Sequence, residues 1–199
     1  MITKIRTKDL KHLTRDIKLE KIKKHNIIIA PNGWGKTQLI KAIRDKLFQD
    51  CSRCDIKLDF SNEFKKEPKG VYFSINEELD SRAIRESVNP FDGDTYCSRL
   101  VESVTKSELS NGQDQQRTLK LFSEEVIKEG FIWFLDEPEK SLDIVELSEL
   151  INNILKLNAQ IFIITHSPLF IMNDKFNKII LDEKYYEKAI SIIKKEYKL

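Results

Sequence analysis

Phe131-Ile132-Trp133-Phe134-Leu135 is a run of five apolar residues that ends abruptly in Asp136-Glu137-Pro138. An uninterrupted apolar run of this length predicts a strand buried on both faces, as in a parallel sheet. Two carboxylates then stand at the strand's C-terminal end, the edge where open α/β sheets bind ligands. On an extended chain neighbouring side chains point to opposite faces. Asp136 and Glu137 are therefore expected to face apart, one toward a metal and the other toward a water. Pro138 stops the strand. Taken alone, the segment reads equally as a strand that runs into an acidic surface turn.

A second apolar run, Asn26-Ile27-Ile28-Ile29-Ala30, leads straight into Pro31-Asn32-Gly33-Trp34-Gly35-Lys36-Thr37 and then a helical pattern at Leu39, Ile40, Ile43 and Leu47. Strand, glycine loop, Lys-Thr and helix in that order form the context of a phosphate-binding loop. Glycines let backbone N–H groups turn inward around phosphate oxygens, and the helix N-terminus adds partial positive charge. Lys36 is then expected at the β- and γ-phosphates, and the Thr37 hydroxyl on Mg²⁺. The first glycine of the usual pattern is Ala30 here. That change is small if Ala30 keeps extended dihedrals and serious if its φ is positive.

The 199 residues suit one α/β domain with a full core. With 34 basic and 32 acidic residues the net charge is only +2, which gives no argument for nucleic acid. Lysines crowd the N-terminal third, but acidic residues interleave, so a solvated strand face is expected rather than a basic patch. The N-terminus lacks a signal-peptide core, and no apolar run approaches the roughly 20 residues of a membrane helix. Three cysteines, with Cys51 and Cys54 as CxxC and Cys97 distant, are expected as reduced thiols, and the protein as cytoplasmic.

Short strands are expected at 2–5, 16–20, 55–60 and 71–74, with helical segments near 81–87 and 98–106. Ser110-Asn111-Gly112-Gln113 has the spacing of a capping box opening a helix. Gly112 is unexplained by the cap and would permit close approach of a phosphate. Residues 142–157 form an amphipathic helix. A buried strand at 159–164 ends in Thr165-His166-Ser167-Pro168, which puts a histidine at the same sheet edge as the carboxylates. A last strand (178–182) and a basic amphipathic helix (185–199) follow.

In this order the motifs resemble those of the ABC-type ATPase superfamily. Ala30–Thr37 looks like Walker A, Leu109–Gln113 like the LSxGQ signature, and Phe131–Glu137 like Walker B with its glutamate. Ser141-Leu142-Asp143 resembles the D-loop and His166 the switch histidine. The resemblance implies a single domain over 1–199: a P-loop NTPase of ABC ATPase type. Its mostly parallel central sheet is flanked by helices, with an N-terminal antiparallel β part and a small helical insert at about 75–110. It also implies ATP and Mg²⁺ as ligands. Asn32, Gly33, Trp34, Gly35 and Lys36 would hold the phosphates, while Thr37 and Asp136 bind Mg²⁺. Glu137 would polarise the attacking water and His166 contact the γ-phosphate. Ser110, Gly112 and Gln113 would reach ATP on the opposite protomer of a head-to-tail homodimer, and Asp143 would link the two sites. The family's Q-loop glutamine has no clear match; Asn76 or Glu77 are the nearest substitutes.

Asp-Glu-Pro-Glu139 departs from the transporter form, and Thr165–Pro168 is similar to the soluble branch of RecF-like, SMC-like and OLD-like proteins. The interval from Thr37 to Ser110 is too short for long coiled-coil arms. The expectation is a small, stand-alone ATPase head, with no membrane contact, that regulates a separate effector, a nuclease or similar, in DNA repair or anti-phage defence. The alternatives are a nucleotide-binding subunit of a transporter and a DNA-binding clamp using the N-terminal lysines. Trp34, large for such a loop, is expected at the dimer face.

Overall fold

The computed structural model describes residues 1–7, 16–48, 56–61, 131–140 and 142–197, with backbone alone at 69–74 and for the first residue of the 131–136 strand. The elements, in chain order, begin with β1 (Ile2–Thr7), β2 (Ile17–Leu19), β3 (His25–Ile29), α1 (Lys36–Phe48), β4 (Ile56–Phe60) and β5 (Lys69–Ser74). They continue with β6 (Phe131–Asp136), α2 (Ile144–Lys156), β7 (Gln160–Ile164), α3 (Pro168–Ile171), β8 (Asn177–Ile180) and α4 (Glu183–Tyr197). The insert at about 75–110 lies outside the described residues.

Among the described residues, five strands form one sheet in the order β5-β6-β7-β3-β8. Its neighbouring strands all run parallel. The apolar runs are buried on both faces, as expected of central parallel strands. Alternate residues of each strand supply different cores. Ile27, Ile29, Trp133, Leu135, Ile161 and Ile163 pack with Leu147, Leu150, Ile151 and Ile154 of α2 and with Ile193 of α4. Ile28, Ile132, Phe134, Phe162 and Ile164 pack with Leu39, Ile40 and Ile43 of α1 on the opposite face. The rings of Phe134 and Phe162 stack there at 5.4 Å between centroids.

The second core also receives Ile2, Ile5, Ile17, Leu19 and Ile56 from an antiparallel sheet of order β2-β1-β4. Strict alternation over residues 2–5 does not hold. Ile2 and Ile5 are both fully buried although three residues apart, because the register against β4 shifts between Ile2 and Lys4. A bulge of this kind inserts a residue and returns the next side chain to the same face. Gln160 ties the two sheets together. Its Oε1 accepts from Ile2 N at 2.7 Å, and its Nε2 donates to Ile2 O at 2.8 Å. Arg6 and Lys18 pair with Asp59 and Glu20, which makes this stretch of the antiparallel sheet a solvated charged face.

The layering predicts a sharp contrast between two truncations in urea unfolding. Phe162→Ala, in the stacked core, should lower stability by about 3–5 kcal/mol. Ile144→Ala removes a side chain that is 70% exposed and should change stability by less than about 0.5 kcal/mol. Similar losses for both would contradict this packing.

Candidate nucleotide site

Register puts the candidate side chains at one edge. Asp136 pairs with Ile164, and Ile164 with Ile28, so β6, β7 and β3 run level at their C-terminal ends. One or two residues beyond that level come Glu137, His166 and the loop that opens at Ala30.

In the loop, left-handed backbone falls on glycine: φ is +75° at Gly33 and +96° at Gly35. Ala30 does not share it, so its methyl is tolerated at the strand end, where it is buried. Leu39 N bonds Gly35 O at 2.9 Å, which starts α1 at Lys36. The first turn of α1 holds no acidic side chain. Its N-terminus therefore keeps its partial positive charge beside the glycine loop. Trp34 is half-buried against the core of its own chain.

Lys36 is only 6% exposed. Its Nζ donates to Ala30 O (2.9 Å) and Pro31 O (3.0 Å) and lies 3.0 Å from His166 Nε2. Burial pushes the Lys36 pKa down, and Glu137 and Asp136 partly oppose this. An ammonium can only donate, so Nε2 of His166 accepts and the imidazole carries its proton on Nδ1. The His166 pKa is also lowered, first by burial and then by the Lys36 charge; Glu137 and Glu139 act against this, and Lys140 with it. Thr37 Oγ1 donates to Asp136 Oδ2 at 2.8 Å, and Asp136 is 3% exposed. A hydroxyl and a carboxylate in contact are the hard oxygen donors that suit Mg²⁺.

Glu137 corrects the expectation of simple alternation. Its φ is +51°, left-handed, so the chain has already left the extended conformation. The turn lets Glu137 N donate to Ile164 O at 2.9 Å and brings its carboxylate onto the Lys140 ammonium, with Oε1 4.0 Å from His166 Nε2. Glu137 thus lies beside His166. Left-handed backbone at a non-glycine residue costs about 1–2 kcal/mol.

Glu139, read from sequence only as a departure from the transporter form, has a structural task. Its Oε1 accepts from Thr165 Oγ1 (2.7 Å) and from His166 N (2.9 Å). It thereby ties the turn after β6 to the residue that carries the imidazole. A second residue, Tyr185 of α4, lies with its hydroxyl 3.3 Å from His166 Nδ1. No local motif marks Tyr185; strand pairing alone brings it here. Asp143 caps α2, accepting from Val145 N and Glu146 N while Glu146 Oε2 accepts from Asp143 N. Ser110, Gly112, Gln113, Ser141, Asn76, Glu77 and the three cysteines lie outside the described residues.

No protein-family model and no curated protein matches the sequence. Among solved structures, the chain is similar to MJ1267, an ATP-binding cassette of an ABC transporter in its ADP conformation. That likeness has a TM-score of 0.52 and 16% identity, and covers 96% of this chain and 98% of the other. The dimeric ATP-binding cassette MJ0796 bound to ADP and Pi matches at a TM-score of 0.47 and 15% identity, over 89% of this chain and 94% of that one. The first likeness carries the fold: the chain has the architecture of an ATP-binding cassette, an α/β P-loop NTPase fold. It gives no support to a soluble, non-transporter branch.

His166 and His25, both with lowered pKa values, dictate a direction for pH. The unfolded chain binds protons near pH 6.5 that the folded chain refuses, so stability is full above that value and falls as pH drops beneath it. Urea midpoints at pH 7.5 and 5.5 should show this decline, and His166→Gln should make it shallower. A variant with an undiminished decline would contradict the buried, neutral imidazole.

Proposed function

We propose that the protein is an ATP-hydrolysing switch. The observation that carries this reading is the convergence of Lys36, the Thr37–Asp136 pair, Glu137 and His166 on one sheet edge next to a helix N-terminus. Backbone amides of Asn32, Gly33, Trp34 and Gly35, with Lys36, hold the phosphates of ATP. Thr37 and Asp136 hold Mg²⁺, which when bound neutralises charge on the β- and γ-phosphates. Glu137 orients the attacking water and accepts its proton, and His166 contacts the γ-phosphate. The placement of the Glu137 carboxylate supports that role, since its Oε1 lies 4.0 Å from His166 Nε2.

In this reading two copies close head-to-tail around ATP. Ser110, Gly112 and Gln113 of one copy complete the site of the other, and Asp143 sits where the two sites communicate. Hydrolysis releases the pair, and a separate effector in DNA repair or anti-phage defence reads the state. Thr165–Pro168 and Glu139 motivate that choice of partner. A second reading, the nucleotide-binding subunit of a transporter, is favoured by the likeness to a transporter's cassette. The chain's partner in cell extracts distinguishes them: an integral membrane protein selects the second, a soluble enzyme the first.

ATPase rate against protein concentration tests the shared core of both. Specific activity should rise with concentration as dimers form, and Glu137→Gln should lower turnover by about 10²–10⁴-fold. Absence of turnover at every concentration, or turnover indifferent to Glu137, would overturn the proposal.

A further inference from the structure

The C-terminal helix delivers one side chain to the site. β8 runs parallel to β3, and Leu181 N bonds Ile29 O at 3.0 Å, so the chain leaves β8 level with the end of the loop strand. Asp182 then caps α4, its Oδ1 accepting from Tyr185 N at 2.9 Å and its carbonyl from Tyr186 N at 3.0 Å. Tyr185 is partly buried against the core shared by α2 and α4. Its ring is thus held by packing and its backbone by the cap, and the hydroxyl has a fixed place 3.3 Å from His166 Nδ1. The imidazole is faced by Lys36 from α1, by Glu137, Glu139 and Lys140 from the turn after β6, and by Tyr185 from α4.

We propose that Tyr185 is a positioning residue for His166, holding the imidazole in one orientation while allowing it to change tautomer. A hydroxyl both accepts and donates. When Lys36 donates to Nε2, the Nδ1–H donates to the Tyr185 oxygen. When Nε2 must itself donate, as toward a phosphate oxygen, Nδ1 gives its proton to solvent and Nε2 takes one up from it, so Nδ1 becomes an acceptor and Tyr185 O–H donates to it. A carboxylate or carbonyl at this place would serve one tautomer only. With Glu139 on the His166 amide, both the backbone and the ring of His166 are fixed. This inference rests on the ATPase reading for its consequence, though not for the Tyr185–His166 contact.

Tyr185→Phe tests it, since the ring and its packing stay and only the hydroxyl goes. Ring ¹⁵N spectra of histidine-labelled protein, with His166 assigned through His166→Gln, should show the Nδ1–H form in both proteins, set by Lys36 at Nε2, with the Nδ1 resonance displaced in Tyr185→Phe, where its hydrogen-bond acceptor is gone. Turnover should fall about three- to tenfold, as expected for one lost hydrogen bond, with KM for ATP within about twofold. A helix residue that merely covers the core would move neither readout. An unchanged His166 spectrum overturns the inference, whatever the ATPase rate. So does a changed spectrum with an unchanged kcat. If the parent hydrolyses no ATP, the proposed function falls with that result, and the spectrum still decides the contact.

Discussion

The level ending of three parallel strands is the constraint on which the rest depends. Because Asp136, Ile164 and Ile28 share one register line, the residues that follow each strand emerge at one edge within reach of a single ammonium. A one-residue slip of any strand would turn its buried face outward, and both apolar layers oppose that. The large apolar side chains of β3, β6 and β7 therefore do more than bury area. They fix how far Lys36, Glu137 and His166 stand from one another.

The electrostatics follow from that placement. Lys36 is held by two carbonyl oxygens and an imidazole nitrogen, dipoles that hydrate a buried ammonium in place of water. The two carboxylates nearest it act to keep it charged, and its own charge helps to keep His166 neutral. A neutral imidazole with a defined tautomer can accept from a cation on one side and donate to a hydroxyl on the other. Glu139 adds rigidity by a different route: it fixes the His166 amide, so the main chain at His166 is tied to the turn that carries Glu137.

Much of this was legible in the chain itself, for local reasons. The central strands announce themselves as unbroken apolar runs, and the loop between β3 and α1 needs glycine at the two positions where φ is positive. The histidine and the carboxylates follow buried strands directly, so their edge could be read without coordinates. Features set by distant pairing were not legible. The bulge in β1 depends on β4, and the turn at Glu137 on the carbonyl of Ile164. Tyr185 reaches His166 through the β8–β3 pairing, for which the local pattern around either residue gives no sign. Alternation is no guide at Glu137, where φ is +51°: periodicity describes a strand only while the backbone remains extended.

In the proposed function Lys36 is the point at which a triphosphate is gripped, and thermal protection by nucleotide measures that directly. A ligand that binds only the folded state stabilises it by about 2.7 kcal/mol at a hundredfold excess over its dissociation constant. Mg²⁺-ATP should raise the unfolding temperature of the parent protein by several degrees and leave that of Lys36→Ala unmoved. Equal shifts in the two proteins, or no shift in either, would contradict it.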